Sequence, residues 1–131
     1  MQRALLPRIA AAVALAVSAY VHVDLALGRP WVADGQVTLA GLFIGDAVAA
    51  AVTGLWVLVQ GSRLAWLVAG LVALVSALAL LVTTYVQVPA VGPLPSIYDP
   101  LWYPDKSVAF AAAAVASVIA AVVLAVGSRR R

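Results

Sequence analysis

Residues 64–88 read LAWLVAGLVALVSALALLVTTYVQV, twenty-five positions without one Asp, Glu, Lys, Arg or His. As an α-helix at 1.5 Å per residue this run is about 37 Å long, more than the roughly 30 Å hydrocarbon core of a bilayer. Three comparable runs occupy residues 9–27, 37–59 and 107–127. Each is long enough to cross a bilayer as a helix. Four spans in 131 residues leave only three short loops and two tails. No segment remains for a separate soluble unit, so residues 1–131 form one domain. The expected fold is all-α, a four-transmembrane-helix antiparallel bundle.

Composition places the chain in the same class: 66% hydrophobic and 10% charged, with a mean hydropathy of +1.10. The net charge of +3 does not point to nucleic acid, because the cations sit at span ends and build no continuous face. The absence of cysteine excludes thiol–disulfide chemistry, iron–sulfur clusters and thiolate metal sites. His22 is the one histidine and Met1 the one methionine, so bis-histidine haem ligation within a protomer is excluded. No Walker loop, Rossmann glycine pattern, HExxH or GxSxG occurs. A non-enzymatic protein without cofactor or metal is the expectation. His22, Asp24 and Asp46 are suitable ligand types for a metal. However, His22 and Asp24 stand two apart on a helix and point to different faces.

The cations set the expected orientation. Arg3, Arg8, Arg63, Arg129, Arg130 and Arg131 flank one side of a four-span arrangement; Arg29 and Lys106 fall on the other. This bias predicts a multi-pass protein of a bacterial plasma membrane with both termini cytoplasmic. Asp34, Asp99 and Asp105 lie on the outer side, and Asp24 lies near the outer end of span one. Aromatic residues mark both interfaces, Trp56 and Trp66 inside, Trp31, Trp102 and Tyr103 outside. Arg3 and Arg8 ahead of residues 9–17, with Val17-Ser18-Ala19 behind, also fit a secretory signal. The apolar run continues to Leu27, which favours a span.

Loop one, residues 28–35, is short and rich in turn residues and makes spans one and two a hairpin. Span two contains Gly41-Leu42-Phe43-Ile44-Gly45, a GxxxG continued by Ala49 and Thr53. Such a stripe permits close helix approach, either in a homodimer or against a neighbour in the same bundle. Similar stripes at Ala65, Ala69, Ala73, Ala77 and at Ala109, Ala113, Ser117, Ala121, Ala125 favour the second reading. Loop two is a tight turn, Gln60-Gly61-Ser62-Arg63. The third loop, PAVGPLPSIYDPLWYP over residues 89–104, carries five prolines and cannot form a long regular helix. It is expected to be an ordered extracytoplasmic cap, with Pro104 and Asp105 suited to the first turn of span four.

Asp46 is the residue most in need of explanation. It lies about nine positions into span two, roughly 14 Å deep, where a carboxylate is costly unless paired or protonated. With the turn of the first hairpin near residues 31–32, position i of span one faces about 63 minus i. Asp46 then lies level with Val17 and Ser18, and His22 is one turn further out. A Ser18–Asp46–His22 cluster follows, either a proton-handling or ligand-binding pair or a polar pin that fixes helix register. Tyr20 and Asp24 share a face, Tyr85 ends span three, and Tyr98 and Trp102 sit in the cap. With Ser18, His22 and Asp46 they are the candidate ligand-binding residues of an outward-facing pocket for an amphipathic molecule such as a lipid or quinone. An aromatic belt is the simpler alternative for the tyrosines. Lys106 is expected to pair with Asp99 or Asp105.

Tyr20-Val21-His22-Val23-Asp24-Leu25, followed by Leu42-Phe43, resembles the opening of a family of small four-span integral membrane proteins of high-GC actinobacteria. Gly92-Pro93-Leu94-Pro95 through Tyr98-Asp99-Pro100-Leu101-Trp102-Tyr103-Pro104-Asp105-Lys106 resembles their outer loop, with Asp99 and Asp105 where glutamate is expected. The resemblance implies the topology and marks His22 and the cap as recurring features; it carries over no activity. The leading expectation is an accessory subunit of a larger membrane complex, or a small binding protein with the lipid bilayer as its constant partner. The alternatives are an oligomeric transporter or channel with Asp46 and His22 as a proton or cation relay, and a quinone- or haem-associated respiratory component. The nearly bare inner halves, with Thr53, Ser76 and Ser117 as the main polar groups, argue against conduction by a monomer.

Overall fold

The computed structural model describes residues 4–130. Arg3 and Arg131 of the orientation argument, and Met1, lie outside the described residues. Among the described residues four helices make up the architecture: α1 (Leu5–Ala26), α2 (Leu39–Val59), α3 (Arg63–Tyr85) and α4 (Pro104–Arg129). All four are long and apolar enough to cross a membrane. They pack as a ring in which α1 touches α2 and α4, α3 touches α4 and α2, and the α2–α3 side is the loosest.

The helix ends follow local chemistry. α1 starts at Leu5, earlier than the expected residue 9, because Pro7 sits in the first turn, where its missing N–H removes no helical bond. Thr38 caps α2 by accepting from the Gly41 N–H at 3.1 Å, and Ser62 caps α3 by accepting from the Ala65 N–H at 3.1 Å. α3 stops at Tyr85 rather than residue 88, since Val86 is extended and Val88 pairs with Ile97. Pro104 opens α4, with Asp105 in its first turn.

The core is built from alanine. Ala11, Ala47, Ala50, Ala65, Ala69, Ala73, Ala116 and Ala120 are buried, with Leu15, Val57 and Trp66 as the larger members. Trp66 is thus a core residue and not an interface aromatic. The α3 stripe packs inward as expected, from Ala65 to Ala77. The α4 stripe holds at Ala109 and Ala113 and then shifts to Ala116 and Ala120, leaving Ala121 and Ala125 exposed. A strict four-residue spacing drifts off a face that repeats every 3.6 residues.

The glycines of α2 divide differently from the expectation. Gly54 makes the close crossing: a Cβ there would lie 3.2 Å from the Leu15 Cβ of α1. Gly41 instead accommodates loop one, for a Cβ there would overlap the Trp31 carbonyl oxygen, while Gly45 faces open space. Of the two GxxxG glycines, then, only Gly45 offers a free surface. Gly41→Ala is expected to cost about 1–2 kcal/mol through overpacking, partly offset by better helix propensity. Gly45→Ala should be neutral or slightly stabilising; denaturant unfolding in detergent compares the two.

Loop one is a two-stranded antiparallel hairpin, β1 (Val32–Ala33) and β2 (Gln36–Val37), turning at Asp34 (φ 52°) and Gly35 (φ 75°). Asp-Gly with both residues left-handed is the favoured two-residue hairpin turn. The cap is ordered by its backbone. Val88 and Ile97 exchange two hydrogen bonds of 2.9 Å, Val37 N–H donates to Pro93 O at 3.2 Å, and Asp99 N–H donates to Thr83 O at 2.8 Å. Cap and hairpin therefore share one end of the bundle. At the other end Arg8 donates from Nε to Val57 O at 3.0 Å and from its terminal nitrogen to Leu58 O, closing the carbonyl end of α2.

Candidate functional site

The true turn at Asp34-Gly35 shifts the register of the first hairpin. Position i of α1 meets roughly 69 minus i of α2, as Leu15 meets Gly54 and His22 meets Asp46. Asp46 is therefore level with His22 itself and not with Ser18. Nε2 of His22 lies 3.3 Å from Oδ2 of Asp46. Ser76 of α3 donates its hydroxyl to the same Oδ2 at 3.0 Å. Nδ1 of His22 lies 2.7 Å from the Ser18 carbonyl and 3.4 Å from the Ser18 hydroxyl. Phe43 stands edge-on to the imidazole, with ring centroids 5.5 Å apart.

One of these contacts places a proton. A carbonyl oxygen only accepts, so Nδ1 carries hydrogen. His22 and Ser76 give Asp46 two polar neighbours about 10 Å into α2, seven residues from Leu39, where a carboxylate without partners is costly.

Ser18 and His22 are buried, but the Asp46 side chain keeps 23% of its surface. Its exposed part lines a shallow groove of about 280 Å³ between α2 and α3, completed by Ala49, Leu71, Val72 and Val75. Oδ2 takes both polar contacts; Oδ1 has no hydrogen-bond partner among the described residues.

The other candidates lie elsewhere. Tyr20 is 73% exposed, and Asp24 is also exposed, both on the outer face of α1 away from His22. Tyr85 and Trp102 do meet, as Trp102 Nε1 donates to Tyr85 Oη at 3.1 Å. They belong to a second polar centre around Lys106, whose side chain is 1% exposed. Its Nζ donates to Asp99 O at 2.5 Å and Leu101 O at 3.1 Å, lies 3.5 Å from Asp99 Oδ2, and sits 5.1 Å from the Trp102 ring centroid. Tyr103 donates to Asp99 Oδ2 at 3.0 Å. Tyr98 is half exposed on the cap. Of the two expected partners, Lys106 takes Asp99.

Burial, followed by the Asp99 hydrogen bond and the Asp99 and Asp105 charges, pushes the Tyr103 phenol up to about 12, with Arg29 opposing. A raised phenol favours the folded cap fully below the ordinary tyrosine value of about 10 and loses that contribution as pH rises through about 12. Titration of phenolate absorbance is expected to show a late component that is lost in Tyr103→Phe.

Sequence reasoning missed Ser76 as a partner. The turn centred on Gly61 pairs position i of α2 with about 122 minus i of α3, which sets Asp46 against Ser76; depth matching across loop two contained the signal. Below the cluster, Thr53 and Ser117 donate to their own helix carbonyls, Ala49 O at 2.7 Å and Ala114 O at 2.8 Å. No three His, Asp or Glu side chains converge among the described residues.

Fold and site define a four-helix protein with helices of membrane-crossing length, tied together near the cap by one His–Asp–Ser chain across α1, α2 and α3. No protein-family model, curated protein or solved structure matches the chain.

Proposed function

We propose that this is a multi-pass membrane protein whose helices run antiparallel, with both termini cytoplasmic and the cap outside, and that it binds an amphipathic small molecule or lipid without enzymatic turnover. The likeness to small actinobacterial four-span proteins fits this topology. So do Arg8, Arg63, Arg129 and Arg130, which stand at helix termini remote in sequence from the cap. The observation that carries the binding role is the Asp46 carboxylate. One of its oxygens is held by His22 and Ser76, while the side chain remains partly exposed on an apolar groove. A group serving only to pin helices has no need of that exposure. A relay across the bundle would need acceptors below the cluster, where Thr53 and Ser117 are turned onto their own backbones and the core is alanine.

Native mass spectrometry of protein purified in mild detergent tests the reading, with His22→Ala and Asp46→Asn in parallel. The expected result is a bound molecule on the wild type that both variants lose. An empty wild type, with variants that are only less stable, would reduce the cluster to a register pin and turn attention to protein partners.

A further inference from the structure

We propose that the α2–α3 groove takes a neutral, hydroxyl-headed, long-chain lipid, its O–H donating to Oδ1 of Asp46 and its tail lying along Ala49, Leu71, Val72 and Val75. This deepens the binding role proposed above and rests on it. The chemistry of the site and its place in the bundle select that class. A carboxylate oxygen only accepts, so the head group must be a donor. The groove runs from Asp46 toward the loop-two end, because Ala49 is one turn further along α2, and Val75, Val72 and Leu71 precede Ser76 on α3. A molecule bound there has its head about 10 Å from the start of α2 and its tail directed deeper.

Phosphate-bearing head groups do not fit a position that deep, because their charges would leave water without partners. An ammonium fails as well. It would have to carry a full charge into hydrocarbon, where a hydroxyl carries none. The α2–α3 side, the loosest contact in the ring, is also where a tail reaches the site sideways from the bilayer without passing the ordered cap.

The test is photolabelling of the intact protein in lipid nanodiscs with a long-chain alcohol bearing a diazirine in its tail. Dodecanol, methyl dodecyl ether and dodecylamine serve as competitors. The expected label falls on Ala49, Leu71, Val72 and Val75. Dodecanol should displace it about tenfold better than the ether, which has the same tail and no donor. Ala49→Leu, which fills the groove and leaves the His22–Asp46 pair intact, should remove the label without loss of folding. Equal competition by alcohol and ether, stronger competition by the amine, or label spread over all lipid-facing residues would each overturn the proposal. A molecule lost from Asp46→Asn in native mass spectrometry, with no specific labelling by the alcohol, would overturn the ligand class alone. Failure of both measurements would remove the binding site as well.

Discussion

Lys106→Met should lower stability by about 2–4 kcal/mol and release the cap. Methionine keeps most of the buried stem but donates nothing. The Asp99 and Leu101 carbonyls then lose their shared donor, and the Asp99 carboxylate loses its cation. Removing one partner of a buried charged pair typically costs 3–5 kcal/mol. The expected figure is lower because Asp99 is about one third exposed and water can replace part of what it loses. The loss should be local. Amides of residues 86–103 are expected to exchange much faster in Lys106→Met, while the middles of the four helices keep their protection. Uniform loss of protection would mean that the cap and the bundle unfold as one unit.

His22→Leu is expected to cost about 2–3 kcal/mol, and adding Asp46→Leu should restore most of it. The single change leaves a carboxylate held by Ser76 alone. The double change removes both members of the pair, and replacing a buried pair with apolar residues is often neutral or favourable. Denaturant unfolding of the wild type, both single variants and the double variant in one detergent gives the coupling directly. If the double variant stays as unstable as His22→Leu, the edge contact between His22 and Phe43 carries the stability, not the contact with Asp46.

Helix number and helix length were legible in the sequence because each depends on one strong signal, an uninterrupted apolar run. So was the meeting of His22 with Asp46, though for the wrong register. The error came from placing the turn at residues 31–32. Asp34-Gly35, flanked by Val32 and Val37, carried the correct turn, and it moves every depth comparison by about six positions. The small-residue stripes were legible as packing surfaces on α3. On α2 they were not, because a glycine spacing does not say which neighbour approaches: Gly41 receives a loop carbonyl, Gly45 nothing, and Gly54, outside the motif, receives α1. The Lys106 centre was half legible. Its charged partner could be guessed from proximity, but two backbone carbonyls from the preceding loop leave no mark in residue types.

The alanine core has a consequence for how the protein tolerates change. With Ala11, Ala65, Ala69, Ala73, Ala113, Ala116 and Ala120 at the centre, there is little side chain left to delete. A conventional alanine scan would pass over these positions unchanged and reach the core only at its few larger members, Leu15, Val57 and Trp66. A leucine scan would find the centre at once. A Cβ at Gly70 would already lie 3.0 Å from the Ala120 Cβ, so three further carbons at Ala120 must force α3 and α4 apart. Drift at these alanines is therefore one-sided, since they have almost no volume to lose and any gain is disruptive.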